Sequence, residues 1–259
     1  AKLDSLSDPQ MVNELKTQLT NASSPVPSVE TILHAILPFK YVDHTHSDAV
    51  VTVTNTLEGE GRIREIYGER VVIIPYVMPG FDLAKDVARI FSEQSTDKTE
   101  GMILMNHGIF SFGDSAKESY DRMISLVNEA ENYLINKNAW DIEKPEANFE
   151  QKNISNQVAE LRQKISLTIG KPVLMHLTNS LLGFNFCNKE DVKKIATKGP
   201  LTPDHVIRTK RIPMIGRDIN KYSEEYASYF NKNEINAKAR KTMLDRAPRV
   251  ILDKEFGLC

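Results

Sequence analysis

The chain has 259 residues, 41% hydrophobic and 26% charged, with a formal net charge of −2. That length can bury a sizeable core as one large domain or a domain with an appendage, and so balanced a charge argues against nucleic-acid and membrane partners. Cys187 and Cys259 form no CxxC pair or dense framework, the pattern of a reducing, cytoplasmic setting, and no bilayer-length apolar run or charged-then-apolar leader is present.

In chain order, Ser7, Asp8 and Pro9 signal a first helix, a cap followed by proline, with Met11, Leu15 and Leu19 on one face. The Ser23 to Pro27 stretch breaks it. Ser28 then caps a second helix carrying Glu30, Leu33, His34 and Leu37. This puts Glu30 in the first turn, where the helix dipole favours a carboxylate, and on the residues alone it reads as a capping side chain. Next comes Tyr41-Val42-Asp43-His44-Thr45-His46-Ser47-Asp48, a short strand running into a helix start. Strand side chains alternate faces, so His44 and His46 point the same way. Their Cα atoms sit roughly 6.6 Å apart, a span two imidazoles can close around one cation.

Asp48 to Asn55 and Gly59 to Tyr67 read as helices, and Val71 to Pro75 as a continuous apolar strand rich in β-branched residues. That strand ends at Tyr76 and a Pro79-Gly80 turn, which launches an amphipathic helix around Leu83, Val87 and Ile90. Tyr76 either lends a phenol to a site or packs at the strand end with its hydroxyl satisfied. Gly101 to Gly113 forms two strands joined at His107-Gly108, and Asp114 caps a long helix to about Lys137. His44, His46 and His107 thus fall at strand ends in one half of the chain. A three-histidine site with an open position is the catalytic kind of zinc site; the alternative is three ordinary hydrogen-bonded histidines.

Beyond Trp140 the texture changes: 141–150 is polar and carries Pro145, a boundary that divides the chain into 1–140 and 141–259. A helix with Val158, Leu161 and Ile165 follows, then a strand from Pro172 to Leu177 in which His176 is a strand or core histidine. Gly199 to Arg211 carries His205, Arg208, Lys210 and Arg211. This cluster suits either a phosphate, with His205 and Arg208 as its ligands, or a basic interdomain connector. Ser223 to Asn231 is a helix, and Arg246 to Leu252 an extended closing piece. No GxGxxG follows a strand, so no NAD site is expected on this chain.

Four stretches taken together, Pro27-Ser28-Val29-Glu30-Thr31, Asp43-His44-Thr45-His46, Pro75-Tyr76-Val77-Met78-Pro79-Gly80 and Asn106-His107-Gly108, resemble the class II aldolase/adducin family in order and spacing. With Gly199 to Arg211 added, the chain resembles the aldolase half of bifunctional rhamnulose-1-phosphate aldolase/alcohol dehydrogenase proteins. The resemblance implies an α/β domain with a central, mainly antiparallel sheet flanked by helices, followed by a helical and loop-rich C-terminal appendage. It implies one zinc ion on His44, His46 and His107, Glu30 as general base with burial raising its pKa, Tyr76 beside it, and Ser28 near the substrate phosphate. The implied reaction is cleavage of a ketose 1-phosphate to dihydroxyacetone phosphate and lactaldehyde through a metal-stabilised enediolate. A sugar-phosphate 4-epimerase, a methylthioribulose-phosphate dehydratase, or a non-catalytic adducin-like interaction module are the alternatives on the same scaffold. The partners implied are a small sugar phosphate, further copies of the chain in a tetramer, and a fused or missing dehydrogenase domain. Family members carry a phosphate-binding segment before the PSxE motif, and nothing from Ala1 to Pro27 resembles it, so a fragment of a longer protein is expected.

Overall fold

The computed structural model describes residues 5–140, 153–178, 180–237 and 240–259, which divide into two units, Ala1–Asp141 and Ile142–Cys259. The polar stretch 141–150 read as the boundary lies outside the described residues. In the first unit a capping box between Ser7 and Gln10 opens α1 (Asp8–Thr17), and α2 (Thr31–Ile36) and β1 (Tyr41–Thr45) follow. Ser28 does not cap α2. It closes a turn in which its Oγ accepts from the Glu30 amide at 3.2 Å, and Glu30 itself takes the N-cap position.

The chain continues through α3 (Asp48–Thr54), α4 (Gly59–Tyr67), β2 (Val71–Ile74), α5 (Phe81–Gln94), β3 (Gly101–Leu104), β4 (Gly108–Gly113) and α6 (Ala116–Asn136). Ser115, rather than Asp114, caps α6: its Oγ accepts from the Glu118 amide, while Glu118 Oε2 accepts from the Asp114 amide at 2.8 Å. The one-residue shift has a simple cause, since the capping oxygen must reach the amide three residues on.

The four strands form one sheet in the order β1-β4-β3-β2, antiparallel except for the parallel β2–β3 pair. Both faces are covered, so the strands read as apolar runs rather than alternating ones. Val72, Ile74, Met102, Leu104, Phe110 and Phe112 pack with α2 and α5 on one face. Val71, Ile73, Ile103 and Ile109 pack with α3, α4 and α6 on the other. Period-two alternation therefore splits β2, β3 and β4 between two cores. Full burial of Phe110 or Phe112 is worth about 1.5–3 kcal/mol. The two helical layers hold β1 and the β3–β4 turn at one end of a rigid sheet.

The second unit comprises α7 (Ser155–Ile169), α8 (Leu181–Asn188), α9 (Val192–Ala196), α10 (Pro203–Arg208), β5 (Met214–Ile215), α11 (Ile219–Glu234), β6 (Ile251–Asp253) and β7 (Gly257–Leu258). It is mainly helical, with a small sheet β5-β6-β7 that the sequence pattern did not reveal. Pro172 to Leu177 is not a strand: only Thr178 bridges, to Leu258. Val173, Met175 and Leu177 still pack on the core around Leu161, Met214 and Tyr222, so the alternation reflects burial without a ladder. His176 is exposed. Among the described residues no helix is long and apolar enough to cross a membrane.

Candidate metal centre

His44 is set by β1. It lies opposite Phe110 in the antiparallel register, and its ring stacks on that phenyl at 4.0 Å between centroids. Its Nδ1 lies 2.9 Å from the Ile109 carbonyl. A carbonyl only accepts, so Nδ1 carries the proton and Nε2 turns a lone pair inward. That Nε2 is 3.0 Å from Nε2 of His46, which stands just past β1 and ahead of α3.

His107 comes from the β3–β4 turn and is 2% exposed. Its amide donates to Leu104 O at 3.1 Å, which closes the turn and brings the imidazole back over the strand ends. Nε2 of His107 is 2.7 Å from Glu30 Oε1, and the same oxygen is 3.6 Å from His44 Nε2. Burial pushes the Glu30 carboxyl up, but hydrogen bonds and charge from His107 and His44 outweigh it and hold it well below the usual carboxylate range. The direction is opposite to the expected upward shift: two imidazoles face the carboxylate, and in their protonated form their pull exceeds the cost of burial.

Glu30, His44, His46 and His107 offer ligand atoms that all lie within 4.8 Å of one another, the one such group among the described residues. Neutral imidazoles and a carboxylate are zinc donors, and a His44 ring fixed through its far nitrogen by a backbone carbonyl is the usual outer support of a metal-bound histidine. Nδ1 of His107 is buried without a hydrogen-bond partner, as in a ring committed to the site rather than to the core. Gly108 completes the fit. A Cβ there would lie 2.6 Å from Thr45 O, 2.8 Å from His46 Cδ2 and 2.9 Å from His44 Cε1, so only glycine lets the rings approach β4. These residues fit a divalent cation.

Tyr76 follows β2 and is 55% exposed. The Ser28 hydroxyl is turned back on the Glu30 amide. His205 and Arg208 stand on α10 in the second unit, where His205 Nδ1 is 3.0 Å from Thr202 Oγ1 and Arg208 is exposed. In the same stretch the Lys210 ammonium donates to the Asp245 carbonyl and sits over the Tyr226 ring at 3.5 Å, and Arg211 lies over Tyr229 at 5.2 Å. Sequence reasoning missed the Ile109 carbonyl and the steric role of Gly108. The carbonyl has no signature, whereas a glycine directly after a histidine was a legible one.

Comparison with known proteins bears on both units. The model for the class II aldolase and adducin N-terminal domain matches residues 5–134, and that for the second domain of class II aldolase matches 152–259. A Bacillus subtilis protein named uncharacterized oxidoreductase YuxG is 30% identical over 99% of this chain, which spans only 40% of that protein's length. The N-terminal class II aldolase domain of a conserved protein from Thermoplasma acidophilum is 44% identical, over 51% of this chain and 60% of that one, with a TM-score of 0.47. A sugar-phosphate aldolase from Thermotoga maritima is 19% identical, over 46% of this chain and 58% of that one, with a TM-score of 0.37.

Proposed function

This chain belongs to the class II aldolase/adducin family, and from that premise we propose that it is a metal-dependent lyase that cleaves a ketose 1-phosphate, first candidate L-rhamnulose 1-phosphate, to dihydroxyacetone phosphate and lactaldehyde. One observation carries the reading: ligand atoms from three separate stretches of sequence come within 4.8 Å of one another. His44, His46 and His107 would hold the cation, with zinc the expected ion, and Glu30 stands beside them. When bound, the cation supplies Lewis-acid polarisation of the substrate carbonyl.

The rest falls to the chain's own groups. Glu30 stands 2.7 Å from His107 and 3.6 Å from His44, which places its carboxylate beside the cation site as the proton carrier. In the cleavage direction Glu30 takes the proton that the substrate hydroxyl releases as the carbon–carbon bond of the ketose breaks and returns it to carbon; in condensation the same transfers run in reverse. Ile109 O keeps His44 in the tautomer that presents Nε2, and the Phe110 ring beneath His44 keeps water from that face. Tyr76, Ser28, His205 and Arg208 stay proposals for substrate contact, as do a tetrameric assembly and a dehydrogenase domain outside this chain. The oxidoreductase name of the Bacillus relative belongs to a protein of which this chain spans 40%, which accords with an aldolase part joined to a redox part.

Elemental analysis of the dialysed chain beside His107→Ala tests the reading. About one zinc or similar ion per chain, lost in the variant, is the expected result for a closed ligand set, together with cleavage of one member of a ketose 1-phosphate panel. A parent that binds no metal after zinc is added sinks it. A parent that binds metal and turns over no phosphate ester leaves the interaction-module alternative.

A further inference from the structure

We propose that Asn106 is a positioning residue of the metal centre, which latches the His107 turn to the far end of α3; the proposal rests on the metal-site reading above. Asn106 has a left-handed backbone, φ 57°, a conformation that costs most L-residues roughly 1–2 kcal/mol and that asparagine tolerates best after glycine. Its side-chain Nδ2 donates to the Thr54 carbonyl at 3.2 Å and to Asn55 Oδ1 at 2.7 Å. A backbone carbonyl can only accept, which fixes the orientation of the amide.

The two acceptors are the last residue and the C-cap of α3. The other end of that helix begins at Asp48, two residues after His46. A seven-residue helix is a strut of about 10 Å. At one end it carries the strand exit that bears His44 and His46, and at the other it grips the turn that bears His107. The Thr54 carbonyl is also closely approached by Gly59, where any Cβ would lie 2.5 Å from it. Thus the separation between the paired histidines and the third is set through α3, and the Asn106 side chain spans the gap from the turn. Glycine could adopt the backbone angle but has no amide to donate. Aspartate tolerates the angle but presents oxygens to two acceptors. Asparagine meets both demands.

The test compares zinc affinity, by competition with a chromophoric chelator, and the visible spectrum of the cobalt(II)-loaded protein for four chains: the parent, Asn106→Gly, Asn55→Ala and Asn138→Gly. Asn138 is the other asparagine with a left-handed backbone, φ 54°, just past α6, and serves as the control for backbone effects alone. Asn106→Gly is expected to weaken zinc binding about 10-fold to 100-fold, the usual consequence of losing an outer support, and to change the cobalt spectrum. Asn55→Ala is expected to cause a smaller loss of the same kind, and Asn138→Gly none. Parent-like affinity and spectrum in Asn106→Gly overturn the proposal. If that variant does not fold, Asn55→Ala decides: parent-like binding there overturns it equally. A parent that binds no metal defeats the site reading itself, whereas a metal-binding parent with an indifferent Asn106→Gly defeats only the latch.

Discussion

Two basic or imidazole-rich regions, one in each unit, invited a functional reading, and they fold differently. In the first unit His44, His46, His107 and Glu30 come from segments distant in sequence and end within 4.8 Å of one another. In the second, His205, Arg208, Lys210 and Arg211 are neighbours in sequence, yet the structure gives them separate partners: Thr202 for His205, Asp245 and Tyr226 for Lys210, Tyr229 for Arg211. Strands with fixed register converge side chains from far apart, while along a six-residue helix and the irregular segment after it each side chain takes a partner of its own.

The largest expected effect comes from breaking that convergence. Gly108→Val inserts bulk where a Cβ alone would already sit 2.6 Å from a backbone oxygen. The bound metal, read by elemental analysis, should fall from about one per chain to near zero. Glu30→Gln separates holding from turnover: three imidazoles remain, so most of the metal stays, while cleavage slows about 10²–10⁴-fold, the usual worth of a placed proton carrier. Equal loss of metal and rate in that variant would recast Glu30 as chiefly a ligand.

Lys210 sharpens the contrast from the other side. Burial lowers its ammonium from 10.5 to about 8, with the Asp245 charge opposing that and Arg249 adding to it. The folded state therefore binds fewer protons than the unfolded state between about pH 8 and 10.5. Its destabilising share is full below pH 8 and fades as the pH rises through that window. The melting temperature should climb between pH 8 and 9.5, and Lys210→Met should flatten the profile while leaving zinc content unchanged. The smallest effect is expected at Ser115→Ala, about 1 kcal/mol from loss of the α6 cap, read by urea unfolding. A similar loss at Asp114→Ala would return the cap to the earlier position.

Much of the first unit was legible because its signals are periodic. Apolar runs at Val71 and Gly101, heptad-like spacing around Leu83, and the HxH spacing on β1 each depend on the local geometry of a strand or helix. The second unit yielded less. Its strands are two or three residues long, too short to show a period, and the alternating stretch 172–177 buries one edge against helices without pairing. In the first unit helix starts were legible to within a residue or two, since Ser28 or Glu30 and Asp114 or Ser115 offer competing caps whose choice depends on where the chain arrives.

By itself the sequence determined which residues could be ligands and that His44 and His46 share a face, because each depends on residue chemistry or on dihedrals within a few residues. Only the tertiary structure decided that Ile109 O would select the His44 tautomer, that Glu30 would be held ionised, and that Asn106 would reach α3. Those outcomes depend on distances between atoms 77, 65 and 52 residues apart along the chain. No local rule fixes such distances. They are set when two helical layers close on a four-stranded sheet and leave one arrangement that fills both cores.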